Sequence, residues 1–277
     1  MNKERIFLFS IDLEDVRLGM PDPNKYKERV LATTEKYLNW LNKFNFKCTF
    51  FTVGNIADKY PSLITDIVSE GHEIACHTSA HIPLDKQTKE TFKEDLKKNI
   101  DSLQQAGAKK ITGFRAPIFS LTENTKWAYE VLEELNFSYS SSVLPAKNPL
   151  YGWESFGQNP KKTSNIIEIP MTVAKYGPIQ VPFGGGIYFR LLPEFMIHSK
   201  IKNHHTLNNP LLGYFHPYDI DTEQGYFMHP GINNNIFYNF LMYYNRKNVF
   251  NRLEKIINKG FHICTYSDYV ENYLSVK

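Results

Sequence analysis

Strand-like and helix-like segments alternate along this 277-residue chain, and the alternation limits its fold more than any other feature. Buried-strand patterns lie at 6–11, 46–53, 72–77, 110–115, 137–141, 166–171, 211–215 and 261–265. Repeated strand–helix units give parallel strands joined by crossover helices. Polar residues follow several of these strands, and functional side chains of barrels gather at the carboxyl ends of the strands. The sequence therefore predicts a single α/β domain over residues 1–277, a distorted β/α barrel of about seven strands.

Amphipathic helices are predicted between the strands. Their patterns cover 25–44, 56–70, 88–105, 124–135 and 237–258, with a short helix from residue 193. Glycines 71, 107 and 260 follow three of these segments and are typical helix stops. Residues 147–163 are rich in Asn, Gly, Pro and Lys, which predicts a long loop.

Composition excludes some classes of partner and location. The net charge of +3 is mild and the basic residues are scattered, so nucleic-acid binding is not expected. Cys48, Cys76 and Cys264 lie in apolar runs without a paired spacing and are expected to be buried free thiols. No apolar run is long enough to span a bilayer, and the N-terminus shows no signal-peptide pattern. A soluble cytoplasmic protein without a transmembrane segment is expected.

Three carboxylates follow the first predicted strand. Strand alternation places Asp12 and Glu14 on one face, whereas Asp15 lies where the strand begins to turn. A solvated acidic turn is the simplest explanation of the group. Clustered like charges repel one another unless a cation lies among them, which favours a metal site weakly.

A pair of histidines follows the third predicted strand. His77 and His81 are four residues apart, so on a helical turn both rings reach one ion. Two imidazoles with a carboxylate are the usual ligands of a divalent metal that keeps an open position for water. Two unrelated surface or capping histidines are the alternative interpretation.

Further charged residues stand at other strand ends. Arg115 could hold a carboxylate ionised, although a surface arginine is the favoured interpretation when the residue is taken alone. His216 is placed to protonate a leaving amine; taken alone it is more often a structural histidine, but its position at a strand end favours a functional role. His204 and His205 follow a basic stretch and are expected to be exposed. His229 is compatible with either exposure or a position near a substrate, and the sequence does not decide between them.

These segments, in this order, resemble the polysaccharide deacetylases of the NodB-homology type, a family of metal-dependent carbohydrate esterases with a distorted β/α barrel. The similar segments are Ser10–Asp15, Cys48–Gly54, Gly71–His81, Gly113–Pro117, Phe137–Val143 and Phe215–Pro217. The third of them is the most specific match. A subgroup with an Asp-x-Glu-Asp first motif and a Gly-Gly-Gly-x-Tyr-Phe-Arg stretch, here Gly184–Arg190, is the most similar one and is associated with exopolysaccharide or surface-glycan loci.

The resemblance implies a role for each candidate residue. His77 and His81 would bind the metal, most simply Zn²⁺ although cobalt or iron stay possible, together with Glu14 or Asp15. Glu14 is favoured because it shares the strand face of Asp12. Asp12 would be the general base, oriented by Arg115, and His216 the general acid. A backbone N–H near Ile118 would complete the oxyanion site.

Three departures from the family pattern point to a substrate unlike chitin or a standard peptidoglycan chain. The first motif has Asp-x-Glu-Asp instead of Asp-Asp. Ser140 replaces an aspartate that precedes Ser-Ser, and Ile118 replaces a tyrosine that follows Arg-x-Pro. These three departures do not argue against hydrolysis, although the altered third and fourth motifs leave full activity an open question.

The sequence thus predicts a metal-dependent N-deacetylase for an acetamido sugar or glycan precursor in surface-polysaccharide biosynthesis. Two alternatives stay open: hydrolysis of another C–N amide bond of the cyclic-imide or allantoin type, and a catalytically silent carbohydrate-binding barrel. The retention of Asp12, His77, His81 and His216 argues against the silent barrel. A homo-oligomer is compatible with the aromatic segment Tyr226–Tyr244.

Overall fold

The computed structural model describes residues 5–148, 150–204, 206 and 208–274. Within them the strands are β1 (Arg5–Leu13), β2 (Thr49–Thr52), β3 (Glu73–Cys76), β4 (Gly113–Phe114), β5 (Tyr139–Ser140), β6 (Lys161–Thr163), β7 (Ile166–Glu168), β8 (Val173–Tyr176), β9 (Ile179–Pro182), β10 (Leu211–Phe215) and β11 (Phe261–Ile263). The α-helices are α1 (Val30–Lys43), α2 (Gly54–Lys59), α3 (Pro61–Ser69), α4 (Lys89–Gln105), α5 (Ala128–Glu134), α6 (Gly186–Leu191), α7 (Glu194–Ile201), α8 (Ile236–Tyr243), α9 (Val249–Ile257) and α10 (Tyr266–Tyr269).

One curled sheet of nine strands forms the centre of the fold. Its order is β10-β1-β2-β3-β4-β5-β7-β6, and β11 pairs with the first residues of β1. Every pairing is parallel except that of the edge strand β6 with β7. Beyond β7, the Thr172 hydroxyl accepts the Leu212 N–H of β10 at 2.8 Å and so bridges the two ends of the curl. The prediction of an α/β fold with a distorted barrel is confirmed.

The alternation of side chains along β1 separates the two sides of the sheet. Phe7, Phe9 and Ile11 pack in the cluster that contains the residues of α1, α3 and α9. Ile6 and Leu8 belong to the inner cluster, which lies between the strands. Because residues two apart share a face, this alternation directs the later even-numbered positions of β1 to the inside of the curl.

The structure corrects several predicted segments. The helix predicted at 56–70 is two helices, because Pro61 has no N–H to continue α2 and begins α3 instead. The first helix begins at Val30 rather than at residue 25, after a short 3₁₀ turn at Pro23–Lys25. The predicted loop 147–163 ends in strand β6, and the β8–β9 hairpin was not predicted.

The prediction of one long helix at 237–258 was also wrong. It is divided into α8 and α9 at Asn245, which adopts a left-handed conformation with φ 60°. The buried Arg190 guanidinium donates to the carbonyls of Leu241, Met242 and Tyr244, so the last carbonyls of α8 have a partner other than the next helical turn. A tertiary contact therefore ends a helix whose sequence pattern continues.

Other predictions concern exposure. The three cysteines are buried thiols that form no disulfide, as predicted. His204 was expected to be exposed but is buried against the Phe183 ring, and His205 lies outside the described residues. No helix in the described part of the chain has both the length and the apolar character needed to cross a bilayer.

Candidate metal centre and active site

The Asp12 carboxylate lies inside the curl near the end of β1 and is almost completely buried. Arg115, which directly follows β4, donates from Nη1 to Asp12 Oδ1 at 2.6 Å. Burial alone would raise the pKa of Asp12, but the Arg115 charge, with smaller contributions from His77 and His216, lowers that pKa below its usual value. Asp12 is therefore held as a carboxylate inside the fold.

Arg115 is itself fixed on all sides. Its guanidinium donates to the Ser10 hydroxyl at 2.8 Å, to the Ser141 carbonyl at 3.0 Å and to the Tyr266 hydroxyl at 3.0 Å. It also lies over the face of the Phe51 ring, 3.9 Å from the centroid. The surface alternative for Arg115 is excluded, because the side chain is fully buried.

Three predicted ligands come together at the open end of the barrel. One potential ligand atom from each of Glu14, His77 and His81 lies within 4.8 Å of the others. His77 Nδ1 is 2.8 Å from the Arg115 carbonyl, which is an acceptor only, so this nitrogen carries the proton and Nε2 keeps a free lone pair. His81 Nε2 lies 3.0 Å from Glu14 Oε2. Two imidazoles and a carboxylate are a donor set that fits a divalent metal.

The ionisation of these groups agrees with such a set. Burial lowers the pKa of both His77 and His81 to about 4, so each imidazole is neutral near pH 7 and able to coordinate a metal. Burial raises the pKa of Glu14 and so disfavours its carboxylate form. A cation bound beside this carboxyl group would lower the pKa and favour the carboxylate.

Asp15 is not part of this group. Its carboxylate accepts from Arg17 Nε at 3.1 Å and from the Arg17 backbone N–H at 3.1 Å, and so caps the 3₁₀ turn Val16–Gly19. Of the two acidic residues left open by the sequence, the geometry groups Glu14 with the histidines and Asp15 with an arginine.

His216 follows β10 and is held by a carboxylate from its own turn. Its Nδ1 lies 3.2 Å from Asp219 Oδ2, and Asp219 also accepts from Arg190 Nε at 2.9 Å. Burial would lower the pKa of His216, but the hydrogen bond and charge of Asp219 raise it to about 9, with help from Glu14 and Asp12. His216 Nε2 lies 3.6 Å from Oε1 of Glu14, one of the three potential metal ligands. The imidazole is therefore a protonated donor at neutral pH.

One cavity of about 580 Å³ is lined by Asp12, Glu14, His77, His81 and His216. Its other walls include Tyr214, Tyr218, His229, Met242 and the exposed Ile118. Ile118 has φ 55°, a left-handed conformation that is costly for a β-branched residue. This strained backbone lies at the site where the resemblance implies an oxyanion N–H.

Several residues that support the site were not predicted. Asp219 and Arg190 hold His216, and Tyr266 and Ser141 hold Arg115. A carboxylate three residues after His216 was a readable local signal for Asp219, whereas the other three are distant in sequence from their partners.

Glu168 lies beside Ser140, the residue that stands where the family pattern has an aspartate before Ser-Ser. Its buried carboxylate accepts the backbone N–H groups of Ser142 and Val143 at 2.7 and 2.9 Å. Ser142 in turn accepts the N–H of Ala116, beside Arg115. A carboxylate from the neighbouring strand β7 thus organises the segment that holds Arg115.

The two halves of the chain match two families. Residues 26–139 match the polysaccharide deacetylase family, and residues 141–271 match a domain of unknown function, DUF3473. A peptidoglycan-N-acetylglucosamine deacetylase from Bacillus cereus is 34% identical over 101 residues, which are 36% of this chain and 37% of that protein. The chain therefore spans only about a third of the length of this curated relative.

Solved structures share the fold over nearly the whole chain. A protein from Mycobacterium smegmatis described as a polysaccharide deacetylase superposes with a TM-score of 0.68 at 15% identity, covering 99% of this chain and 92% of that chain. A CE4 family pseudoenzyme from Bacillus anthracis superposes with a TM-score of 0.54 at 10% identity, covering 98% of this chain and 66% of that one. At these identities the likeness establishes the fold alone.

Proposed function

We propose that this chain, which belongs to the polysaccharide deacetylase family, is a metal-dependent hydrolase that removes N-acetyl groups from an acetamido sugar. The observation that carries the proposal is that three units meet at one cavity: Asp12, which is paired with Arg115 behind it, the group of Glu14, His77 and His81, and the protonated His216. A base, a ligand set and an acid at the same cavity are what amide hydrolysis requires.

Glu14, His77 and His81 would hold the metal, and zinc is the ion that best suits two imidazoles and a carboxylate. When bound there, a divalent ion supplies Lewis acidity towards the acetamide carbonyl and lowers the pKa of water. Asp15 is left out of this proposal because Arg17 engages its carboxylate.

The proposed proton transfers use residues of this chain. Asp12 accepts a proton from the attacking water, because Arg115 keeps its carboxylate ionised inside the barrel. Addition of the water oxygen to the acetamide carbon gives a tetrahedral centre. His216 then gives its Nε2 proton to the departing sugar nitrogen as the C–N bond breaks, while Asp219 stabilises the imidazolium at Nδ1. The products are acetate and a free amino sugar.

The wider context is also a proposal. An N-acetylated sugar or precursor of surface-polysaccharide biosynthesis is the proposed substrate, with the whole chain acting as one catalytic domain. The single sheet supports the latter, because β10 and β11 come from the second matched region and pair with β1. A cytoplasmic location and a homo-oligomer stay predictions, to be checked by cell fractionation and by light scattering of the purified chain.

Acetate release from N-acetylglucosamine oligosaccharides by the zinc-loaded chain tests the proposal. We expect acetate in stoichiometry with new free amines, and loss of both in the His77→Ala variant. Turnover of a cyclic imide without acetate release would favour hydrolysis of another amide. Binding of the oligosaccharides without either reaction would favour the silent barrel.

A further inference from the structure

His229 is a buried histidine in the wall of the active-site cavity that the proposed reaction does not use. It lies in the loop between the turn after β10 and helix α8, and only 2% of it is exposed. Its backbone N–H donates to Asn239 Oδ1 at 2.9 Å, and Asn239 Nδ2 donates to the Phe227 carbonyl at 3.0 Å. The residue is therefore clamped to α8 at a fixed position.

The partners of His229 determine its tautomer. Arg246 Nη2 lies 3.3 Å from His229 Nε2, and Gln224 Nε2 lies 3.1 Å from the same nitrogen. The Gln224 amide is oriented by Arg246 Nη1, which donates to its oxygen at 2.9 Å. A guanidinium has donors only, so His229 Nε2 must be the acceptor of both contacts. The ring proton is then on Nδ1.

This Nδ1–H group is left without an acceptor. Among the described residues, no atom makes a hydrogen bond with His229 Nδ1, although the nitrogen is buried. Buried donors of this kind are rare in folded proteins, and each one needs an explanation, of which a partner that binds there is one. His229 lines the active-site cavity, so a ligand bound in that cavity is one source of such a partner.

The position of His229 relative to the acid defines what part of a substrate it meets. The Tyr218 ring stacks on His216 with centroids 4.7 Å apart, and its edge meets His229 with centroids 5.4 Å apart. Tyr218 thus separates the two imidazoles. A substrate whose acetamide lies at His216 would bring a more distant part of the same glycan to His229.

We propose that His229 is a substrate-binding residue whose Nδ1–H donates a hydrogen bond to a sugar oxygen, either a hydroxyl or a carboxylate, remote from the acetamide. The inference rests on the proposed function for the class of ligand, an acetamido glycan. Arg246 and Gln224 act as positioning residues, since their contacts with Nε2 fix the tautomer that carries the proton on Nδ1. The clamped loop adds selectivity without a cost in ordering.

Calorimetric titration of the zinc-loaded full chain with two probes tests this proposal. The probes are a tetrasaccharide of N-acetylglucosamine and a hyaluronan tetrasaccharide, which adds uronic carboxylates. His229→Leu removes the donor, and we expect its affinity for at least one probe to fall by about tenfold, as for loss of one hydrogen bond to a ligand. His229→Asn places an amide N–H near the position of Nδ1 and should retain most of the affinity. His198→Leu, on α7, is the control for removal of a histidine away from the cavity.

If His229→Leu loses affinity for both probes, the acceptor is a hydroxyl. If it loses affinity for the hyaluronan probe alone, the acceptor is a carboxylate. Wild-type affinity in His229→Leu, equal losses in the Leu and Asn variants, or no binding of either probe to the wild type would overturn the proposal. If His229→Leu does not fold, nuclear magnetic resonance of the wild type replaces it: the His229 Nδ1–H signal must shift on saturation with the probe. Because binding is measured and not hydrolysis, absence of acetate release would refute the proposed function and leave this inference standing.

Discussion

The Asp12 carboxylate and the Arg115 guanidinium form a buried ion pair, with Nη1 2.6 Å from Oδ1, although the two residues are 103 positions apart in the chain. The pair depends on two neighbouring features: β1 directs Asp12 into the curl, and the segment after β5 holds Arg115 from the other side. Removing one partner of a buried pair leaves an uncompensated charge. The predictions below follow from this and similar relationships.

Replacing Arg115 with Met should move the acid limb of the kcat/KM profile to higher pH. Burial then acts on Asp12 without the opposing guanidinium, so the pKa of this carboxyl rises and less of the base is ionised at a given pH. We expect activity at pH 6 to fall by about a hundredfold, the typical contribution of a general base. Arg5→Met, at the far end of β1, is the control. An unmoved acid limb in a folded Arg115→Met protein would contradict the role of the pair.

Asp219→Asn should move the alkaline limb to lower pH. His216 donates its proton only when charged, and the Asp219 hydrogen bond and charge raise its pKa to about 9 against the lowering effect of burial. Loss of that charge lowers the pKa, so the donor form disappears at lower pH than in the wild type. Asp221→Asn is a matched control, because Asp221 lies in the same turn and pairs with Arg29 instead. Equal pH profiles for the two variants would refute the assignment.

Glu14→Ala and Asp15→Ala should separate metal binding from local folding. Glu14 belongs to the group with His77 and His81, so we expect its loss to weaken zinc binding by more than the roughly 10–100-fold typical of changing a residue that only supports a ligand. Asp15→Ala should retain zinc and lower the thermal midpoint, since Arg17 loses its buried partner. Elemental analysis after dialysis measures the metal. Retention of stoichiometric zinc in Glu14→Ala would exclude the proposed ligand set.

Gly184→Ala should destabilise the fold by about 3 kcal/mol or more, the upper range for overpacking. A Cβ on Gly184 would lie 1.9 Å from the carbonyl oxygen of Leu212, which is a paired residue of β10 and so has little room to move. Gly225→Ala is the control, because no atom lies within 4 Å of its Cβ position. Urea denaturation compares the free energies of unfolding. Similar values for both variants would show that the loop at Gly184 yields easily.

Local patterns in the sequence were sufficient to predict most elements that carry the site. Strand periodicity predicted that Asp12 and Glu14 share one face, and the order of strand ends predicted that His77, Arg115 and His216 lie at one end of the barrel. In the structure Asp12 lies in β1 and Glu14 follows its last residue. These properties depend on neighbours within a few residues, so periodicity and spacing express them directly.

Helix breaks and side-chain roles that depend on residues distant in the sequence could not be predicted from local patterns. The break between α8 and α9 follows from Arg190, which lies about fifty residues before the carbonyls it binds. The role of Glu168 follows from the pairing of β5 with β7, which brings its carboxylate to the backbone of Ser142. Periodicity reports neither contact, because both are made between elements and not within one.

The sequence by itself indicated the class of fold and the set of candidate site residues, because strand alternation and motif spacing are local. Only the tertiary structure decided their partners: Glu14 lies with the two histidines, Asp15 pairs with Arg17, and Asp219 contacts His216. The tertiary structure also leaves His229 Nδ1 without a hydrogen-bond partner among the described residues. The physical reason is that burial and direct contact set the charge and tautomer of each group, and both arise only when distant strands and loops pack together.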